Sequence, residues 1–190
     1  MKKKITFNSP LVLIFAMACT AATLLGAITG ESGTRLLFST YAAPMGDPLM
    51  YIRLFTHVLG HSDFTHLLGN MAYILLLGPM LEEKYGWKNL LIVMLATALI
   101  TGVLHNVLFP RTMLLGASGI VFAFILLTSF TAFRQGEIPL TFILVALIFI
   151  GQQIWEGITL RDNVSNLTHI LGGIIGAGAG YLLGRGGYRH

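Results

Sequence analysis

Charge is what this chain has least of. Only 11% of its 190 residues are Asp, Glu, Lys or Arg, where soluble domains carry roughly 25%. With 55% hydrophobic residues and a mean hydropathy of +0.77, the composition excludes an ordinary soluble globule and points to an all-α membrane protein. Cysteine is almost missing: Cys19 stands alone within an apolar run, which excludes an internal disulfide. The basic excess is small, a net +4, and membrane topology accounts for it without nucleic acid. No His-Glu-x-x-His motif occurs, and no carboxylate joins the ligand-like pair His57 and His61 on one face, so a metal centre has little support. None of the connections is long enough to hold a second core, so residues 1–190 read as one domain.

What is abundant is apolar sequence, in six runs: 11–29, 64–81, 89–109, 116–133, 139–155 and 167–184. The first follows three lysines and resembles a signal peptide, yet it exceeds the ~7–15 residues of such a core and lacks a small-residue cleavage site, so it is taken as a span. Lys2, Lys3, Lys4, Lys84, Lys88, Arg134, Arg185 and Arg189 fall on one side of the membrane; Arg35, Arg53, Arg111 and Arg161 fall on the other. The positive-inside rule then makes both termini cytoplasmic. Residues 30–63 form the one long connection, outside, and it is too apolar for a free loop. An element lying partly in the outer interface is expected there, a packed loop being the alternative.

Glu82, Arg134 and Arg185 are each the first charge after a run, and sixteen residues before them stand His66, Ser118 and His169. All three runs cross from outside to inside, so a rise of ~1.5 Å per residue puts these side chains at one level. That level is about 24 Å from the cytoplasmic charges, within the outer part of a ~30 Å hydrocarbon layer.

Gly116-Ala117-Ser118-Gly119 opens the fourth run. A serine at a helix start can be a nucleophile while its own N–H serves as an oxyanion donor. The same motif suits a helix cap with small packing residues, and alone it does not decide. The sixth run places His169, Gly172, Gly176, Gly180 and Gly184 on one helical face. Such a face brings a partner helix close. The buried imidazole reads as a general base, or as a structural histidine bonded to a carbonyl. In the second run His66 and Asn70 are i, i+4 and can donate toward one point, as a developing oxyanion requires. His57, His61 and Arg53 read as stitching the outer element to the second helix. Asp63 is expected to point off their shared face, and His105 has no evident partner and reads as structural.

From the second run onward the chain resembles the rhomboid family of intramembrane serine proteases. The resemblance is carried by Arg53-x-x-x-His57-x-x-x-His61-x-x-x-x-His66-x-x-x-Asn70, then Glu82, Gly116-x-Ser118-Gly119 and His169-x-x-Gly172-x-x-x-Gly176. It implies a compact six-helix bundle with a cavity open to the outside. Ser118 and His169 would form a dyad without a third carboxylate, and His66, Asn70 and the Ser118 N–H an oxyanion hole. Arg53 and Glu82 would be structural, and the fifth helix with the 157–166 loop would form a mobile substrate entrance. Phe122 departs from the pattern: many members have tyrosine there, packed on the catalytic imidazole. The expected function is a serine endopeptidase cutting transmembrane substrates near their extracytoplasmic ends, in a bacterial cell membrane and without a cofactor. An inactive rhomboid-like binder is the alternative. A small transporter fits less well, because the polar groups stop at one level and no inverted repeat is visible.

Overall fold

The computed structural model describes residues 8–130, 140–141, 143–148, 151 and 163–185. Among them every regular element is helical: α1 Pro10–Thr29, α2 Glu31–Leu37, α3 Pro48–Thr56, a 3-10 turn His57–Leu59, α4 Phe64–Tyr85, α5 Trp87–Leu108, α6 Ser118–Ser129 and α7 Asn163–Arg185. Four stretches are long and apolar enough to cross a membrane: α1, α4, α5 and Asn166–Gly184 within α7. The expected fifth span, 139–155, and the substrate entrance assigned to it lie largely outside the described residues. Those described within that span are helical.

Each long helix begins and ends for a local reason. Pro10 opens α1, where its missing N–H costs nothing. The free N–H groups of Leu11 and Val12 donate to the two carboxylate oxygens of Glu82 on α4, both at 3.1 Å. An anion at the positive end of a helix is favourable on charge as well as on hydrogen bonding. Asp63 caps α4, its carboxylate accepting from the His66 N–H at 2.8 Å. Gly86, at φ +78°, makes the one-residue turn that sends the chain back as α5. Pro110 lies just beyond the end of α5 at Leu108, where a helix cannot readily continue.

The helical ends differ from the apolar runs. α4 extends past 81 through Glu82, Glu83 and Lys84, and α7 starts at Asn163, inside the expected 157–166 loop. Hydropathy stops where polarity begins, whereas backbone hydrogen bonding continues for another turn. In the opposite sense α6 starts at Ser118 and not at 116, because Gly116 has a left-handed backbone.

The core is formed where α4, α5 and α7 pack on α6, with α1 packed against α4. Val12, Phe15 and Cys19 meet Leu67, Ile74 and Leu81, Leu90 and Met94, and Ile120, Phe124 and Leu127. α6 buries residues on all sides, as a central helix should. Ile14, Met17 and Ile28 of α1, Leu76 of α4, Ile92 and Val107 of α5, and Ile174 and Leu182 of α7 are exposed. Lipid is the solvent that such a surface fits.

The most extensive helix pair is α6 with α7. A Cβ added at Gly172 would strike the Gly119 carbonyl, and one at Gly176 would strike the backbone of Ala123. Glycine at these positions sets the spacing of the two helices. Gly178, on the same helix, faces open space. Gly176→Val should therefore cost at least ~1–3 kcal/mol through overpacking. Gly178→Ala should be neutral or stabilise by up to ~1 kcal/mol. Thermal unfolding in detergent micelles would compare them, and equal midpoints would refute this packing.

Candidate active site

The 30–63 connection, expected from the sequence as an outer element, holds the segment that leads to the serine. Thr40 and Leu114 exchange N–H to carbonyl hydrogen bonds, both at 2.9 Å, and the Thr40 hydroxyl also bonds Asn106 of α5. Two residues later the Gly116 N–H donates to the His57 carbonyl at 2.9 Å. Gly116 then adopts φ +121°, which a side chain would resist, and Ala117 delivers the chain to α6. Ser118 is the first residue of that helix, so its N–H belongs to the turn without intrahelical acceptors.

Glycine at 116 has a second role. A Cβ there would lie 2.8 Å from His66 Cε1 and 2.9 Å from His66 Nε2, so its absence lets the Nε2 edge of the ring lie over the serine loop. The other edge is held from the start of α4. His66 Nδ1 lies 3.2 Å from the Ser62 hydroxyl, and that hydroxyl donates to the Asp63 carboxylate at 2.8 Å. The His66 N–H and the Ser62 hydroxyl hold the Asp63 carboxyl below the usual carboxylate range, so it is ionised at neutral pH. Asn70, one turn on, is buried, and its amide donates to the His66 carbonyl at 3.2 Å.

From α7 the His169 ring packs on Phe122, with centroids 4.2 Å apart and planes tilted by 39°. The aromatic face at 122 therefore meets the imidazole without a hydroxyl. His66, Asn70, Ser118, Phe122 and His169 line one cavity of about 450 Å³. Gly119, Gly172 and Gly176 lie behind it, at the α6–α7 contact.

Other residues singled out by the sequence lie elsewhere. Glu82 caps α1. Arg53 is buried, pairs with Asp47 at 2.8 Å and lies 4.3 Å over the Tyr41 ring, which braces the outer element internally. His61 meets the second span directly, its ring edge-on to His66 at 4.9 Å. His105 does have a partner, the Thr112 carbonyl at 3.2 Å. Asp63, expected to lie off the face of His57 and His61, is bonded through its carboxylate to the His66 N–H and through Ser62 to the ring. An aspartate just before an apolar helix is a helix-start signal that would have found it. No such signal marks Ser62 or Thr40.

Two comparisons bear on this arrangement. The family model of the Rhomboid domain matches residues 48–186, well over half of the chain. A search of curated proteins found no match.

The outer histidines make the fold sensitive to acid. Burial, helped by nearby His105, pushes His57 down to about 3. Burial, then neighbouring His66, pushes His61 down to about 4. In the unfolded chain both titrate near ~6.5, so between about 6.5 and these values the unfolded state binds more protons. Stability is therefore full above about 6.5 and falls as the pH is lowered, by ~1.4 kcal/mol per pH unit per histidine. His57→Asn should flatten the acid slope of the melting temperature. An unchanged slope would show that His57 is not held neutral.

Proposed function

The chain belongs to the rhomboid family, and from that premise we propose that it is an intramembrane serine endopeptidase working through Ser118 and His169. One observation carries the reading: a serine at a helix start and an imidazole from another helix line a single cavity together with the polar side chains of His66 and Asn70. A purely structural cap would not need a histidine from α7 stacked on the next turn of the serine's helix. The cavity also gives water a polar refuge inside an otherwise apolar bundle, and hydrolysis needs that water.

In this mechanism His169 takes the Ser118 hydroxyl proton as the serine oxygen attacks a peptide carbonyl. The charge that develops on the carbonyl oxygen is met by the Ser118 N–H, the Asn70 amide and the His66 ring. Collapse of the tetrahedral intermediate breaks the peptide C–N bond, and His169 returns the proton to the leaving amine. Water, activated by the same imidazole, then hydrolyses the ester at Ser118. Phe122 keeps the imidazole plane in place by ring contact alone. Substrates are transmembrane proteins, and no cofactor takes part. The bundle has six spans with both termini in the cytoplasm and the cavity opening to the outside.

Ser118→Ala and His169→Ala should each abolish cleavage of a generic transmembrane substrate, and the double variant should be no worse, because the pair acts as a unit. A serine-directed phosphonylating reagent should label Ser118. A folded chain that neither cleaves nor is labelled would be the family's non-catalytic, binding kind.

Substrate choice follows from the backbone. A spanning helix hides its carbonyls in its own hydrogen bonds, and lipid offers no substitute partners. Attack at a fixed depth therefore requires a few substrate residues to unwind. Glycine lowers that cost by about 1 kcal/mol and proline by about 3 relative to alanine. Cleavage should fall after a small residue near the outer face, within a few residues of such a breaker. Replacing the breakers by leucine should slow it several-fold, as a gel-based assay would read. Cutting that maps to the cytoplasmic end would rule out this account of depth.

A further inference from the structure

Three groups meet in a chain at the start of α4: the Asp63 carboxylate, the Ser62 hydroxyl and His66 Nδ1, at 2.8 and 3.2 Å. Ser62 has one hydrogen to give and two neighbours to receive it. The ionised carboxylate is nearer and is the stronger acceptor, since a charged partner roughly doubles a hydrogen bond. Turning the hydroxyl toward Nδ1 would also leave two oxygen lone pairs facing each other at 2.8 Å. The hydrogen therefore belongs to Asp63, and Ser62 can only accept from the ring. A neutral imidazole carries one N–H, and an accepting Ser62 calls for it on Nδ1. Nε2, the atom over the Gly116 loop, is then an acceptor. An oxyanion beside it would meet a lone pair.

We propose that Ser62 and Asp63 are positioning residues that fix the His66 proton on Nδ1, so that Nε2 donates to an oxyanion only when the ring holds a second proton. The donor is then an imidazolium, with a charge-assisted hydrogen bond on the cavity side and Asp63 balancing its charge through Ser62. The surroundings leave this balance largely to Asp63. The His61 ring lies edge-on to His66, and Tyr73 from α4 and His169 from α7 line the same cavity. Among the described lining residues there is no lysine, arginine, aspartate or glutamate. The tautomer stands by itself; its consequence for turnover rests on the protease reading above.

The test begins without turnover. In the Ser118→Ala chain, labelled with ¹⁵N in its imidazoles and held in micelles, His66 resonances are assigned by loss in His66→Gln. The neutral ring should show a protonated Nδ1 and a bare Nε2. In Asp63→Asn the amide oxygen still caps α4, while the amide N–H₂ donates to Ser62. The freed hydroxyl then turns to Nδ1, and the ring proton should move to Nε2. Ser62→Ala should lose the preference and Ser62→Thr should keep it. A native ring protonated on Nε2, or one tautomer in all four, overturns the proposal.

Turnover provides a second reading. Dividing the kcat of Asp63→Asn by that of the native chain cancels every shared ionisation, His169 included. The quotient should rise several-fold from about pH 6 to about pH 9, because only the variant keeps a neutral donor at Nε2. A flat quotient would overturn the role in turnover. Cleavage by Ser118→Ala would instead refute the protease reading and leave the tautomer result standing.

Discussion

Backbone contact between α6 and α7 is the constraint on which the rest depends. Gly172 and Gly176 bring one helix against the main chain of the other at Gly119 and Ala123. In lipid there is no hydrophobic force to press helices together, so close van der Waals approach must hold them. The same approach fixes how far His169 stands from the first turn of α6. Site geometry is thus inherited from packing one and two turns below it. Ring contact between Phe122 and His169 then settles the orientation that helix spacing leaves open.

The serine side is held by a different means. Its segment is tied to the 30–63 connection by backbone hydrogen bonds through Thr40 and the His57 carbonyl, with Leu114 and Ala117 buried beside them. α3 and the turn after it are braced in turn by Arg53, Asp47 and Tyr41. Helical packing supplies one member of the pair, and the connection between α1 and α4 supplies the other. Disturbance of either should reach the cavity without touching a residue that lines it.

Much of this was legible before any coordinates. Charge marks where spans end, and counting from Glu82, Arg134 and Arg185 picks out residues that line one cavity. That works because helical rise is constant and the interface is sharp. The glycine face of α7 was readable from its four-residue period. Pairings between distant segments were not: nothing in residues 40 or 114 announces their bridge, because strand-like pairing of single residues leaves no periodic trace. Helix ends were misjudged wherever polar residues continue a helix, as at Glu82–Lys84 and from Asn163. The direction of a hydroxyl such as Ser62 also escapes sequence, since it depends on which of two acceptors is nearer. Phe122 was readable only by likeness to relatives, because no local rule says which aromatic will face a histidine from another helix.

The Glu82 cap has a consequence for how such a chain is made. Leu11 and Val12 are separated from their acceptor by 71 and 70 positions. During synthesis α1 emerges long before Glu82, so its first turn has no protein acceptor when it enters the bilayer. Water at the membrane surface must serve until α4 is in place. The contact can close only after α4 has been made, and Glu82 then latches the two helices together. The latch also sets vertical register: a first helix sitting too deep or too shallow would leave a carboxylate uncompensated at the membrane edge.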